Sequence, residues 1–295
     1  MLNCLLTGGN GFLGNYIEQE ISKKYNVFNL SRSYGQYKIS LNSSSLEFKH
    51  DFDLVIHSAG KAHFKPKTID EKRLFFDVNV NGTANLLNAL ENRSLPKKFL
   101  FISSVAVYGR NQGQLINENY PLLAKDSYGL SKIQAEKLII DWCKKNNIIC
   151  TILRLPLLVG ENPPGNLGNM IKGIKFGYYF NIAGGIAKKS MVLAEDVANI
   201  IFKASEIGGI YNLTDGIHPS FYDLSKAIGV KYGRSKKIVN LPISIAKILA
   251  FIGDLLGNRF PLNSSSFKKI ISDLTFDDSK AKKVLSWKPK KVIEW

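Results

Sequence analysis

Short apolar runs and amphipathic helical patterns alternate through the first half of the chain. Leu2 to Leu6, Val27 to Leu30, Leu54 to His57, Phe99 to Ser103 and Ile148 to Leu153 are brief runs of the kind that buried strands show. Thr68-Ile69-Asp70-Glu71 has the spacing of a capping box and opens a helical pattern that continues to about Asn92, with Leu74, Val78 and Leu86 on its apolar stripe. A second helix is predicted over residues 127 to 146, its apolar side marked by Ile133, Leu138, Ile139 and Trp142. Strands apolar on both faces, separated by helices, predict an α/β fold with a doubly wound parallel sheet covered on both sides.

After Leu155 the pattern changes. Residues 156 to 185 are rich in Pro, Gly and Asn, whereas Ser190 to Ser205 returns to a strand-then-helix pattern. From Gly208 the elements are shorter, and Ser220-Phe221-Tyr222-Asp223 repeats the capping-box spacing. The expected division is a dinucleotide-binding domain from 1-155 plus 186-207, and a smaller C-terminal substrate lobe from 156-185 plus 208-295. Residues 238 to 257 are conspicuously apolar, but Pro242, Lys247 and Asp254 interrupt them. A span needs about 20 uninterrupted apolar residues, so no transmembrane segment is expected, and a lobe helix is favoured over an interfacial one.

Composition narrows the class further. A chain of 295 residues, 45% hydrophobic and 22% charged, lies in the ordinary globular range. Cys4, Cys143 and Cys150 show no paired spacing, which excludes a disulfide framework and any Cys-based metal site, so no metal is expected. With no leader pattern ahead of the first strand, the expected location is cytoplasmic. Forty Lys and Arg against 24 Asp and Glu give a net charge of +16, which favours anionic partners. Its lysines are scattered as pairs such as Lys97-Lys98 and Lys144-Lys145, without a basic stripe interleaved with aromatics, so no nucleic acid is expected. Phosphorylated small molecules or an anionic membrane face suit that charge better.

Two local patterns carry chemistry. Thr7-Gly8-Gly9-Asn10-Gly11-Phe12-Leu13-Gly14 joins the first strand to a helix with the spacing G-x-x-G-x-x-G. Glycines there let backbone pass close to a pyrophosphate, and the helix N-terminus offers free N–H groups and a positive dipole end. Tyr128 and Lys132 stand four apart on a predicted helix and share a face. A tyrosine near pKa 10 is a poor base at neutral pH, and a neighbouring cation favours its phenolate.

Taken in order, the glycine loop, His57-Ser58-Ala59-Gly60, Asn79 in Val78-Asn79-Val80-Asn81-Gly82-Thr83, Ser103-Ser104-Val105-Ala106-Val107-Tyr108-Gly109 and Tyr128-x-x-x-Lys132 resemble the extended short-chain dehydrogenase/reductase family. Its members include NAD-dependent nucleotide-sugar epimerases, dehydratases and 4-keto reductases. The likeness continues through Arg154-Leu155-Pro156, Lys189-Ser190-Met191-Val192, Phe276-Asp277-Asp278-Ser279-Lys280-Ala281 and Leu285-Ser286-Trp287-Lys288-Pro289. It implies a Rossmann-type domain, Ser104, Tyr128 and Lys132 as catalytic residues, and Lys132 as a holder of the nicotinamide ribose. Cofactor contacts are implied at Gly8, Asn10, Gly11, Phe12, Leu13, Gly14, Ser58, Ala59, Gly60, Asn79, Tyr128, Lys132 and Pro156. A homodimer through the helices of residues 70 to 92 and 127 to 146 is also expected from the resemblance.

The strand ending near Leu30 is followed by Ser31-Arg32 instead of the acidic residue that grips a ribose 2′-hydroxyl, which favours NADP modestly over NAD. The family's adenine-contacting Asp has no clear counterpart in Asn42-Ser43-Ser44-Ser45. For substrate, the resemblance points to Asn169 and Lys189 at a sugar-nucleotide diphosphate and to Ser104 and Tyr128 at the reacting oxygen; His63 is placed to approach substrate. His57 is expected to pack or bond beside the cofactor loop. Val105 and Ala106 stand where a dehydratase carries an Asp-Glu pair, which argues against dehydration. The expectation is an NAD(P)-dependent oxidoreductase at C4 of a nucleoside-diphosphate sugar, UDP-linked. Arg32 favours a 4-keto sugar reductase of bacterial surface-polysaccharide precursors, with a 4-epimerase as the alternative. A non-catalytic nucleotide-sensing or RNA-binding relative is the reading from another class, and the intact Tyr128 and Lys132 oppose it.

Overall fold

Every apolar run of the first half forms a strand in the computed structural model, which describes residues 2–43, 45–62, 64, 66–234, 238–257 and 262–295. The order is β1 (Leu2–Thr7), α1 (Phe12–Ile21), β2 (Tyr25–Ser31), β3 (Tyr37–Lys38), β4 (Leu54–His57), α2 (Ile69–Phe76), α3 (Gly82–Glu91), β5 (Lys98–Ser104), β6 (Gly113–Ile116), α4 (Ser127–Lys145) and β7 (Ile149–Leu155). Then follow β8 (Leu157–Val159), α5 (Gly165–Phe176), β9 (Phe180–Ile182), β10 (Met191–Leu193), α6 (Ala194–Ile207), β11 (Gly209–Asn212) and α7 (Phe221–Lys231). The chain closes with β12 (Val239–Leu241), α8 (Ile243–Leu256), α9 (Ser264–Ile271), β13 (Leu274–Phe276) and α10 (Ser279–Leu285).

Seven strands pair in parallel in the order β11-β7-β5-β4-β1-β2-β3. Residues alternate between the two faces with period two. Leu6 and Leu100 pack with Ile17 of α1 and Ile201 of α6, while Leu5 and Phe99 pack with Leu86 of α3 and Ile139 of α4. The strand order reverses between β1 and β4, whose ends lie level at Thr7 and His57. Loops leaving those two ends therefore open the crevice in which a doubly wound sheet binds its ligand.

The pattern expected as one helix from Thr68 to Asn92 forms differently. Both halves of the Thr68/Glu71 capping box are present, but a π-helical segment, Asp77–Asn81, separates α2 from α3. One extra residue per turn shifts the phase of the helix, and Asn79 is 2% exposed as a result. On α4, Ala135, Ile139, Trp142 and Cys143 carry the burial, and Leu138, read as part of the apolar side, is 36% exposed. It lies about 100° round the helix from Ile139.

The smaller core of the lobe gathers Leu167, Ile171, Met191, Leu224 and Ile228. β11 falls in the segment 208-295 assigned to the lobe, yet it is the edge strand of the main sheet beside β7. Gly208 and Gly209, both at positive φ, turn the chain from α6 straight back to that edge. β10 instead pairs with β8, and β6 with β13, so the two parts exchange short strands. The apolar stretch 238 to 257 forms β12 and α8, and among the described residues no helix is long and apolar enough to cross a membrane.

Candidate active site

The glycine loop packs at the switch point of the sheet. A Cβ on Gly8, at φ +77°, would stand 2.7 Å from the Ala59 nitrogen, and one on Gly14 would stand 2.0 Å from the Gly8 carbonyl oxygen. The backbone of β1, α1 and the loop after β4 can close this tightly only without side chains there. Helix α1 follows Gly11, which offers no side-chain cap, and has no acidic residue in its first turn, which leaves its amide donors for an anion. A cavity of about 440 Å³ opens beside it, lined by Gly8, Asn10, Gly11, Leu30 to Ser33, Ile39 to Asn42, Ser58 to Lys61, Leu74 and Val78. These features fit a dinucleotide.

His57 locks the two loops together. Thr83 Oγ1 donates to the Asn79 carbonyl at 2.6 Å, so it accepts from His57 Nε2 at 2.9 Å. The other ring nitrogen then accepts from Thr7 Oγ1 at 2.7 Å, and Thr7 in turn accepts the Ala59 N–H at 3.2 Å. Every group in that chain is satisfied by one tautomer of a neutral ring. Burial, helped by the charge of Lys132, pushes the His57 pKa down to about 3, which bars it from acting as a base near neutrality.

The π segment aims Asn79 between the loop and α4. Its Oδ1 accepts from Lys61 N at 2.7 Å; its Nδ2 donates to Ser131 Oγ at 2.9 Å, and Ser131 Oγ donates to the Tyr128 carbonyl at 2.7 Å. Gly60 lies beside both ends of this bridge, since a Cβ there would be 3.1 Å from Asn79 Oδ1 and 3.2 Å from Lys132 Nζ. Gly60, which lines the cavity, therefore packs directly against Lys132 of α4.

Tyr128 and Ser104 come together from different elements. Ser104 ends β5 and caps the 3₁₀ turn Val105–Tyr108, accepting from Ala106 N at 3.2 Å, which leaves its own proton for an oxygen in front of it. Burial raises the Tyr128 pKa, the Ser104 hydrogen bond lowers it, and the Asp126 carboxylate raises it. Phase along β5 separates Ser104 from Ser103, whose hydroxyl turns away and donates to Glu136. Lys132 was expected to supply the charge that favours phenolate, but its Nζ donates to the Ile102 carbonyl at 2.9 Å and lies 4.5 Å from the Phe101 ring centre. Desolvation lowers its pKa to about 8, against the pull of Glu136.

Several functional contacts had no signal in local sequence. Glu136, one turn beyond Lys132, takes a bidentate bond from Arg154 of β7, at 2.7 and 3.1 Å, and Arg154 also donates to Tyr108 Oη at 3.1 Å. This buried network fixes α4 against β5 and β7. Phe75 packs 6.0 Å from Tyr128, centre to centre. Gly9 is also constrained, because a Cβ would meet Asn29 Oδ1 at 2.0 Å.

Other expected residues are placed less directly. Leu13 is part of the sheet core and Phe12 packs on Tyr16, so of these two only the backbone faces the loop. Pro156 follows β7 and does not line the cavity. Ser31 Oγ donates to the Tyr34 carbonyl and accepts from Tyr34 N, at 2.8 and 2.9 Å, while Arg32 and Ser33 also line the cavity. Asn169 is exposed on α5, whose N-terminus has no side-chain cap. Lys189 Nζ donates to the carbonyls of Lys269 and Ser272 at 2.8 and 2.7 Å. His63 lies outside the described residues.

A family model described as the NAD dependent epimerase/dehydratase family matches residues 4–213. The N-acetyl-α-D-glucosaminyl-diphospho-ditrans,octacis-undecaprenol 4-epimerase of Escherichia coli O157:H7 is 27% identical over 94% of this chain and 88% of its own. The UDP-glucose 4-epimerase of Thermotoga maritima, solved with UDP-glucose, superposes with a TM-score of 0.77 at 22% identity, covering 99% of this chain and 96% of that one. RMD of Pseudomonas aeruginosa, solved with NADPH, gives 0.75 at 20% identity, covering 100% and 96%. The structural likenesses show a shared fold.

Proposed function

The chain belongs to the NAD-dependent epimerase/dehydratase family, and from that premise we propose that it inverts C4 of a sugar carried on a diphosphate, by oxidation and re-reduction at one site. The observation that carries this reading is the pairing of Ser104 with Tyr128, on the helix whose Lys132 packs against Gly60 of the cavity wall. Bound there, NAD(P) supplies the hydride acceptor and donor. Tyr128 takes the proton of the 4-hydroxyl and returns it, and Ser104 holds the oxygen through both steps. Lys132, beside Gly60, would hold the ribose. The apolar Val105 and Ala106 offer no second acid–base pair, which opposes dehydration. The free amides of α1 would take the cofactor pyrophosphate, and Asn169 on α5 would face the diphosphate of the substrate.

The name of the Escherichia coli relative supports a diphosphate-linked N-acetylhexosamine, with a polyprenol as carrier there; the Thermotoga maritima enzyme was solved with a nucleoside carrier. A nucleoside carrier, UDP, is our first choice. Arg32 in the cavity wall favours a second reading, a 4-keto sugar reductase that consumes NADPH. Incubation with UDP-N-acetylglucosamine and UDP-glucose plus NAD, followed by chromatography, tests the first. Tyr128→Phe should lower turnover by about 10²- to 10⁴-fold and still bind cofactor; wild-type protein that consumes NADPH with UDP-4-keto sugars but never interconverts sugars would replace epimerisation by reduction.

A further inference from the structure

Helix α8 presents its large apolar side chains outward and its small ones inward. Its buried residues are Ala246, Ala250 and Gly253, which seat it on Leu262 and Phe267. Ile248, Phe251 and Leu255 are 60%, 63% and 73% exposed, and with Ile252 they form one arc of the helix. Surface helices of soluble proteins carry the opposite arrangement, and a contiguous apolar patch of this kind marks an interaction site. One basic residue of α8 borders the arc. Lys247 is exposed at the edge of the arc, whereas α9 packs on the opposite, buried side of α8 through Phe267. The acidic residue of α8, Asp254, accepts from Ser264 N at 3.1 Å and is tied to the start of α9.

We propose that α8 docks the protein on an anionic lipid bilayer, its apolar arc among the upper acyl chains and Lys247 at the lipid phosphates. Fourteen residues are too few to span a bilayer but enough to lie in its interface. Charge decides between a bilayer and a second copy of the chain. Two copies meeting on this face would bring a net +16 against +16, whereas an anionic surface is complementary. The inference goes beyond the C4 chemistry and does not depend on it.

Co-sedimentation of the full chain with phosphatidylglycerol vesicles, with phosphatidylcholine vesicles as the comparison, tests it. Binding should be at least about tenfold stronger to phosphatidylglycerol and should weaken at about 0.5 M salt. The double variant Phe251→Asp/Leu255→Asp should lose about tenfold or more while still binding NAD(P), since both side chains are exposed; Lys247→Glu should weaken binding severalfold. Tryptophan emission of Phe251→Trp should shift to the blue only when phosphatidylglycerol vesicles are added. Absence of binding at low salt, or binding unchanged in Phe251→Asp/Leu255→Asp, would overturn the proposal. So would a dimer in sedimentation velocity that this variant dissociates, with no vesicle binding, because a second copy would then be the occupant.

Discussion

Asn79 donates to Ser131 Oγ at 2.9 Å, across the gap between the π-helical segment and the helix that carries Tyr128. Through that bond and its two bonds to Lys61, one side chain joins the cavity wall to the helix that carries Tyr128. The π segment matters because a regular α-helix would put residue 79 at another angle.

Replacing Asn79 by Ala leaves the Lys61 amide without its acceptor and Ser131 without its donor. A stability loss of about 1–3 kcal/mol is expected from the unpaired buried groups. Turnover should fall by about 10²-fold through misplacement of Tyr128 and the Gly60 loop. Urea unfolding and steady-state kinetics read the two effects, and unchanged turnover would refute the coupling.

His57 makes acid stability a readout of its buried hydrogen-bond chain. Its folded pKa is about 3 against an ordinary 6.5. Below pH 6.5 the unfolded chain takes up a proton that the folded chain refuses, so stability falls with pH and the loss levels off near pH 3. Between pH 6.5 and 5, this group alone should remove about 1.5 kcal/mol. Urea midpoints across that window should show the loss in the wild type and a flatter profile in His57→Gln; parallel profiles would contradict the assignment.

Arg32 sets cofactor choice if a 2′-phosphate is bound. Ser31 is engaged by Tyr34, so selectivity rests on the guanidinium at the cavity wall. Arg32→Ala should weaken NADPH about tenfold and leave NADH nearly unchanged, whereas Ser31→Ala should alter stability more than selectivity. Fluorescence titration of both reduced cofactors checks this, and tighter NADH binding that Arg32→Ala does not alter would remove the case for NADP.

The sheet, its helices and the glycine cradle were legible because each rests on a local signal: period, capping spacing, or backbone that tolerates no Cβ. Ser104 was singled out over Ser103 by the family resemblance, and the structure sends their hydroxyls to different partners. The π segment was not legible, since α and π turns share one apolar pattern over so few residues. Glu136 with Arg154 was hidden for another reason: the pair joins α4 to β7, a contact set by tertiary packing. The edge strand β11 was misassigned because its four residues look like any short lobe element until they pair with β7. Lys132 was placed on the correct helix face, but burial turns its ammonium to the Ile102 carbonyl.

Proton NMR of a UDP-N-acetylhexosamine incubated with the enzyme and NAD in deuterated water tests the central claim most directly. Oxidation and re-reduction at one site predict the C4 epimer with hydrogen retained at C4, no net change in cofactor, and loss of both in Tyr128→Phe. Deuterium at C4 would contradict hydride transfer there, and an unchanged sugar, with NADPH consumed only by a 4-keto sugar, would contradict epimerisation.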